Sequence, residues 1–311
     1  MAGKGRPSTL DVFARGKSEG RKITVLTAYD LTSALLAARG GVDAILVGDS
    51  LGMVVLGFEN TLPVTLEHTL HHCAAVSRAR PGLPIIADMP FGSFHVSVED
   101  TVRQALRLVK EGGATAVKIE GGRRRLDMIA GLLRAEIPVM GHLGLTPQSV
   151  HRFGGYKVQG RGEDAAAALR DEARLLQEAG CFALVLECVP AELAAQISAD
   201  LEIPTIGIGA GPGCDGQVLV FHDMLGLFDG LKPKFVKRFA ELGDAAAEAI
   251  GRYVTEVREG SFPGPEHTYG EKPRRKTGEG GLPQSAAPEL EKSKPKTTGY
   301  LADMANGKDK S

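Results

Sequence analysis

Ala44-Ile45-Leu46-Val47-Gly48-Asp49-Ser50 is an apolar run that stops abruptly on a carboxylate and a hydroxyl. Four aliphatic or small residues in succession read as a strand buried on both faces, and the acidic residue stands where a parallel strand offers its tip to a ligand. The same ending recurs at Pro84-Ile85-Ile86-Ala87-Asp88, Ala116-Val117-Lys118-Ile119-Glu120, Ile137-Pro138-Val139-Met140-Gly141-His142 and Phe182-Ala183-Leu184-Val185-Leu186-Glu187. Five strands that finish on reactive side chains describe a site assembled at one rim.

Helical patterns fill the intervals. Asp30 reads as an N-cap for Leu31 to Ala38, which stops at Gly40-Gly41. Thr65 to Ala79 is the next helix. Val98 to Glu111 is the clearest: Ser97 with Asp100 has the form of a capping box, Val102, Ala105, Leu106 and Val109 share a face, and Gly112-Gly113 end it. Arg125 to Arg134, the alanine-rich Asp164 to Ala179, Ala191 to Ser198 and an amphipathic segment from Pro233 to Val254 continue the series. With Ile23 to Ala28 as the first strand, Ile203 to Ile208 as the seventh and Gln217 to Val220 as the eighth, the alternation predicts a parallel (β/α)8 TIM barrel. A doubly wound open sheet is the alternative. Residues 1–259 form the barrel domain, with a short N-terminal helix around Ser8 to Phe13. From 260 to 311, prolines scattered among Lys, Arg, Glu, Gly, Ser and Thr leave few large apolar groups, so a disordered tail is expected.

At 311 residues, 43% hydrophobic and 24% charged, the chain is long enough for one large core, and its 40 glycines suit many tight strand-to-helix turns. A net charge of −1 favours neither nucleic acid nor an anionic membrane as partner. Cys73, Cys181, Cys188 and Cys214 lack paired spacing, so reduced thiols in a cytoplasmic protein are expected. The basic start Met1 to Arg6 is followed by no apolar stretch of secretory type, and no run approaches the ~20 residues of a membrane helix.

On a barrel, the strand ends bring Asp49, Ser50, Asp88, Lys118, Glu120, His142 and Glu187 to one face. Asp49, Asp88 and Glu120 offer hard oxygen ligands, which favour Mg²⁺ with open positions for a substrate's oxygens. Glu187, between Leu186 and Cys188, is expected to be a base whose pKa burial raises. Lys118 points to the same side as Glu120, two residues on, where an ammonium suits an enolate. Together these groups describe proton abstraction beside a chelated 2-oxo acid, then attack of the enolate on an electrophile.

Other patterns carry less. Gly211-Pro212-Gly213-Cys214-Asp215-Gly216 has the spacing of a dinucleotide fingerprint but precedes a strand instead of opening a helix, so Gly207 to Gly216 reads as the connection after strand seven. His68, His71 and His72 have helical spacing for a zinc site but are expected mid-helix, on the outside of the barrel or at an oligomer contact. Leu143 to Gly162, with His151, Arg152, Phe153 and Tyr156, is an insertion of lid or ligand-facing type.

The segments LTAYD (26–30), VGDSLGMVVLG (47–57), TLPVTLEH (61–68), ADMPFGS (87–93), VKIEGG (117–122), PVMGHLGLTPQ (138–148), LVLECVP (184–190) and PTIGIGAG (204–211) resemble, in this order, the ketopantoate hydroxymethyltransferase family. The resemblance runs from about Leu10 to Val254. It implies a barrel of the phosphoenolpyruvate/pyruvate type, Mg²⁺, 5,10-methylenetetrahydrofolate as one-carbon donor, and a ring-based homo-oligomer, often decameric. It also implies Asp49, Asp88 and Glu120 at the metal, Asp49, Ser50, Asp88, Lys118 and His142 around the oxo acid, and Glu187 as proton acceptor. The sequence departs from the family's pattern at none of these positions. A lyase or mutase of related oxo acids would carry a catalytic cysteine loop after strand four, which is absent, and a bare interaction scaffold has no need of five polar residues at one rim.

Overall fold

The computed structural model describes residues 10–153, 155, 157–230 and 233–270. Eight parallel strands close into a barrel in sequential order, β1 (Ile23–Thr27), β2 (Ala44–Val47), β3 (Ile85–Asp88), β4 (Ala116–Glu120), β5 (Val139–Gly144), β6 (Ala183–Glu187), β7 (Thr205–Ile208) and β8 (Gly216–Leu219). Strand β8 returns to pair with β1, so the open-sheet alternative is excluded. Before β1 comes α1 (Asp11–Ser18); around the barrel run α2 (Leu31–Gly40), α3 (Leu51–Val54), α4 (Leu66–Arg78), α5 (Val98–Lys110), α6 (Leu126–Arg134), α7 (Val150–Phe153), α8 (Glu163–Glu178), α9 (Ala191–Asp200), α10 (Phe221–Met224) and α11 (Leu242–Glu259).

Two apolar layers explain why nearly every strand residue is buried. One face of the strands packs on the helices, with Ile45, Val47, Ala87, Val117 and Ile119 meeting the inner faces of α4, α5 and α6. The other fills the barrel: Val25, Leu46, Ile86, Ala116, Met140, Ala183, Val185, Ile206 and Val218 form the interior, and Phe13 of α1 plugs its N-terminal mouth, 5.2 Å from the Phe182 ring. Gly16 makes this plug possible, because a Cβ there would overlap the Ile23 side chain.

Local sequence sets most helix starts. Asp30 accepts a hydrogen bond from Ser33 N, and Ser33 Oγ reaches back to the Asp30 backbone, while Gly41 ends α2 at φ 81°. The box expected at α5 is one-sided: Ser97 Oγ accepts from Asp100 N, but the Asp100 carboxylate is engaged by Arg103 and Gln104 instead. Thr65 and His68 form the reciprocal pair at α4, so His68 sits in the first turn of its helix, not in the middle.

Two further expectations need correction. The helix read from Pro233 begins only at Leu242: the backbone N–H groups of Phe239 and Leu242 bond to Met224 O and Leu225 O, and these tertiary partners displace the helical ones. Leu143 to Gly162 starts inside β5, makes a 3-10 turn at Pro147–Ser149 and then α7; Tyr156 lies outside the described residues. In the unit that follows Arg258, residues 265–267 form a 3-10 turn, and 271–311, the bulk of the expected disordered tail, lie outside the described residues.

No helix among the described residues is long and apolar enough to cross a membrane, and all four cysteines are free thiols. Burial raises the pKa of Cys73 and of Cys181 to about 12, so neither is a nucleophile near neutral pH.

Candidate active site

Alternation along the strands carries the barrel interior upward into the site. Ile86 and Asp88, Ala116, Lys118 and Glu120, Met140 and His142, and Ala183, Val185 and Glu187 each continue one inward-facing line, apolar below and polar at the C-terminal end. Parallel register then sets the neighbours: Asp88 lies beside Lys118, and Glu120 beside His142. Asp49 follows a different rule. It lies beyond the end of β2, where Gly48 begins the turn into α3, and a Cβ at Gly48 would stand 2.9 Å from Ser50 Oγ.

The result is a buried charge cluster. One carboxylate oxygen from each of Asp49, Asp88 and Glu120 lies within 4.8 Å of the other two. Lys118 Nζ is 2.7 Å from Asp88 Oδ1, 3.8 Å from Glu120 Oε1 and 3.2 Å from His142 Nδ1. His142 bridges the two acidic regions, with Nδ1 3.4 Å from Glu120 Oε1 and Nε2 3.4 Å from Glu187 Oε2. Lys118, Asp88, Glu120 and His142 side chains are 3% exposed, whereas Glu187 is 16% exposed and therefore faces the cavity more openly.

Burial governs the protonation of these groups, and their neighbours modify it. Burial, with Asp88 and Glu120 adding repulsion, holds Asp49 well above the usual carboxylate range. Burial also raises Asp88, against the pull of Lys118. For Glu120 burial acts upward, but His142 and Lys118 outweigh it and hold the group low. Burial and Lys118 disfavour the His142 imidazolium, yet the Glu120 and Glu187 carboxylates lift it to about 9. Lys118 stays an ammonium despite burial, because Asp88, Glu120 and Asp49 surround it.

Two contributors are not evident from strand endings. Gln148, in the 3-10 turn after β5, donates from Nε2 to Asp49 Oδ2 at 2.9 Å and to Met89 O at 3.0 Å, while its backbone N donates to Glu120 Oε2 at 3.1 Å. It ties two of the three carboxylates together across the rim. Tyr29, just after β1, is fully buried and its hydroxyl lies 2.8 Å from Ser50 Oγ, with His72 Nδ1 on its carbonyl at 2.7 Å. Both residues stand inside the family-like segments LTAYD and PVMGHLGLTPQ, which was the available signal. Of the α4 histidines, His68 caps the helix, His72 contacts the Tyr29 carbonyl and His71 meets only the His72 ring; among the described residues none belongs to a metal cluster. The glycine-rich run lies between β7 and β8, and Gly209 and Gly211 line the cavity.

That cavity has a volume of about 880 Å³, with the charge cluster at its floor. The three carboxylates suit a hard divalent ion: Asp88 Oδ1 and Glu120 Oε1 are buried with no directed hydrogen bond, Asp88 Oδ1 meeting Lys118 as an ion pair only.

Comparison with known proteins gives the same picture from another side. The family model described as ketopantoate hydroxymethyltransferase matches residues 7–265. The 3-methyl-2-oxobutanoate hydroxymethyltransferase of Moorella thermoacetica is 56% identical over 261 residues, covering 84% of this chain and 97% of the relative. The enzyme of that name from Nitratidesulfovibrio vulgaris is 57% identical over 265 residues, covering 85% and 86%. Among solved structures, a phosphonopyruvate hydrolase superposes with a TM-score of 0.54 at 13% identity, covering 83% of this chain and 92% of that one. A 2,3-dimethylmalate lyase of the PEP mutase/isocitrate lyase superfamily gives 0.53 at 19% identity, covering 82% and 87%. At such identities these two speak for the fold alone, a closed (β/α)8 barrel.

Proposed function

The chain belongs to the ketopantoate hydroxymethyltransferase family and is a hydroxymethyltransferase that forms ketopantoate from 3-methyl-2-oxobutanoate; from that premise we propose how its site works, with Mg²⁺ as the ion and 5,10-methylenetetrahydrofolate as the one-carbon donor. The observation that carries this reading is the trio of buried carboxylates beside Lys118, with Glu187 across the same cavity. Asp49, Asp88 and Glu120 would hold the ion. A hard divalent cation held there would supply Lewis-acid polarisation of the oxo acid, which would acidify the hydrogen on C3.

The chain's own groups supply the rest. Glu187, more open to the cavity than its neighbours, takes the C3 proton. Lys118 and His142 lie where negative charge develops on the enolate oxygen, and Lys118 remains positive throughout. Ser50, held by the Tyr29 hydroxyl, orients the oxo acid. The enolate carbon then forms a bond to the methylene carbon of the folate, the carbon–nitrogen bonds to folate break, and water supplies the hydroxyl. The products are 2-dehydropantoate, a precursor of pantothenate, and tetrahydrofolate.

The test is product formation by the full chain from 3-methyl-2-oxobutanoate, methylenetetrahydrofolate and Mg²⁺. Product that appears only with all three supports the reading, and product formed equally well without the folate or in chelator overturns it. A cytoplasmic location and a ring-based homo-oligomer accompany this proposal. Sedimentation of the full chain should then give a species several times 32.8 kDa, and a monomer would contradict the ring.

A further inference from the structure

We propose that the outer part of the cavity seats the folate and that Asp223 is the carboxylate that recognises its pterin ring, an assignment that rests on the one-carbon donor proposed above. The cavity's size is the first reason. About 880 Å³ lies in the range that encloses a drug-sized ligand, whereas a five-carbon oxo acid needs only the floor between Asp49, Lys118 and Glu187.

The wall changes character above that floor. Met53, Val54, Leu145, Val158, Phe228 and Phe235 make it apolar, and among the described lining residues beyond the charge cluster only Asp223 and Lys234 are charged. Asp223 belongs to α10, directly after β8, and is half-buried. Its carboxylate makes no hydrogen bond or ion pair among the described residues. Burial raises its pKa, with Arg238 opposing. A partly desolvated carboxylate without a donor is a cost to the free protein that a ligand with matched donors removes.

A pterin has that match. Its ring nitrogen N–H and the neighbouring 2-amino group form a pair of parallel donors that meets the two oxygens of a carboxylate. Its flat faces suit aromatic neighbours, and Phe228 and Phe235 flank the same wall. Phe235 is seated by the connection after β7: Gly209 has φ +64°, and a Cβ there would stand 2.8 Å from the Phe235 ring. Lys234 is exposed beside Phe235, where the anionic glutamate tail would leave the cavity. The wall thus carries one acidic and one basic group, as folate carries an amino-bearing ring and an anionic tail on either side of its one-carbon unit.

The experiment measures binding of tetrahydrofolate, without a one-carbon unit, to the full-chain protein by equilibrium dialysis under reducing conditions. A tetrahydrofolate analogue that lacks only the 2-amino group and keeps the glutamate tail is the second probe. Wild type should prefer tetrahydrofolate over the analogue by at least tenfold; Asp223→Asn should bind tetrahydrofolate about 10–100-fold more weakly and lose that preference. Melting curves report whether the variant is folded. If wild type binds both probes equally, the assignment fails without reference to any variant. If folded Asp223→Asn retains both affinity and preference, the pterin is recognised elsewhere, although the folate donor stands. No binding of tetrahydrofolate by wild type would instead remove the donor itself.

Discussion

At the N-terminal end of the barrel the Asp215 carboxylate accepts from Thr205 N at 2.8 Å, from Thr205 Oγ1 at 3.1 Å and from Lys17 Nζ at 2.9 Å, while Lys17 also donates to Ser198 O. Nearby, Asp43 is satisfied by Thr24 and Arg21. At the opposite end, Asp88 Oδ1, Glu120 Oε1 and His142 Nε2 are buried in ion-pair contacts without a directed hydrogen bond, while Gln148 Oε1, Thr61 Oγ1 of the cavity wall and His222 Nδ1 are buried without a hydrogen-bond partner. The same sheet therefore ends once in a polar network closed by directed hydrogen bonds and once in a charge cluster that leaves several of its oxygens and nitrogens without one. Buried polar atoms left open cost stability, so their concentration where the cavity lies is the mark of a ligand site. The closed end, plugged by α1, holds the barrel together.

Substitutions at the two ends should separate activity from stability. Asp88→Asn removes a carboxylate from the trio and the close partner of Lys118, and steady-state transfer should fall by about 10²–10³-fold with the fold retained. A variant within threefold of wild type would remove Asp88 from the site. Asp215→Ala should do the reverse. Loss of hydrogen bonds to a charged acceptor should lower urea stability by about 2–3 kcal/mol, with turnover per folded molecule unchanged.

Gln148→Leu sharpens the comparison, because Gln148 contacts the open cluster yet would not touch the substrate itself. Titration calorimetry should show Mg²⁺ binding 10–100-fold more weakly, the usual cost of removing an outer partner of a ligand. Unchanged binding would make it a structural strut. The smallest effect concerns pH. Asp49 has a folded pKa above its unfolded value, so its contribution to stability is present at low pH and lost as pH rises through the folded pKa. Metal-free Asp49→Asn should accordingly gain thermal stability over wild type by a few degrees at pH 8 and by less at pH 5. A gain that is larger at pH 5 would reverse the sign of the shift.

Much of this was legible because fully buried parallel strands are written as unbroken apolar runs, so Asp88, Glu120 and Glu187 stand out as their terminators and His142 as the first ionisable group of a strand that runs on to Gly144. The inward line that joins Ala116, Lys118 and Glu120 is a consequence of period two alone. Gln148 and Tyr29 were not legible as parts of the site. Their side chains reach it from connections, and Gln148 meets Asp49 across 99 residues of chain. The start of α11 was misread for a related reason, since Met224 and Leu225 carbonyls compete for its backbone donors and leave no trace in local periodicity.

We propose Glu187 as the base that removes the C3 proton of an oxo acid held at the carboxylate trio. Proton exchange at C3 of 3-methyl-2-oxobutanoate in deuterated water, followed by NMR with no folate present, tests it directly. Mg²⁺-dependent exchange by wild type and a loss of about 10²–10⁴-fold in Glu187→Gln are the expected results. Exchange at the wild-type rate by the variant, or none by wild type with Mg²⁺, would contradict the proposal.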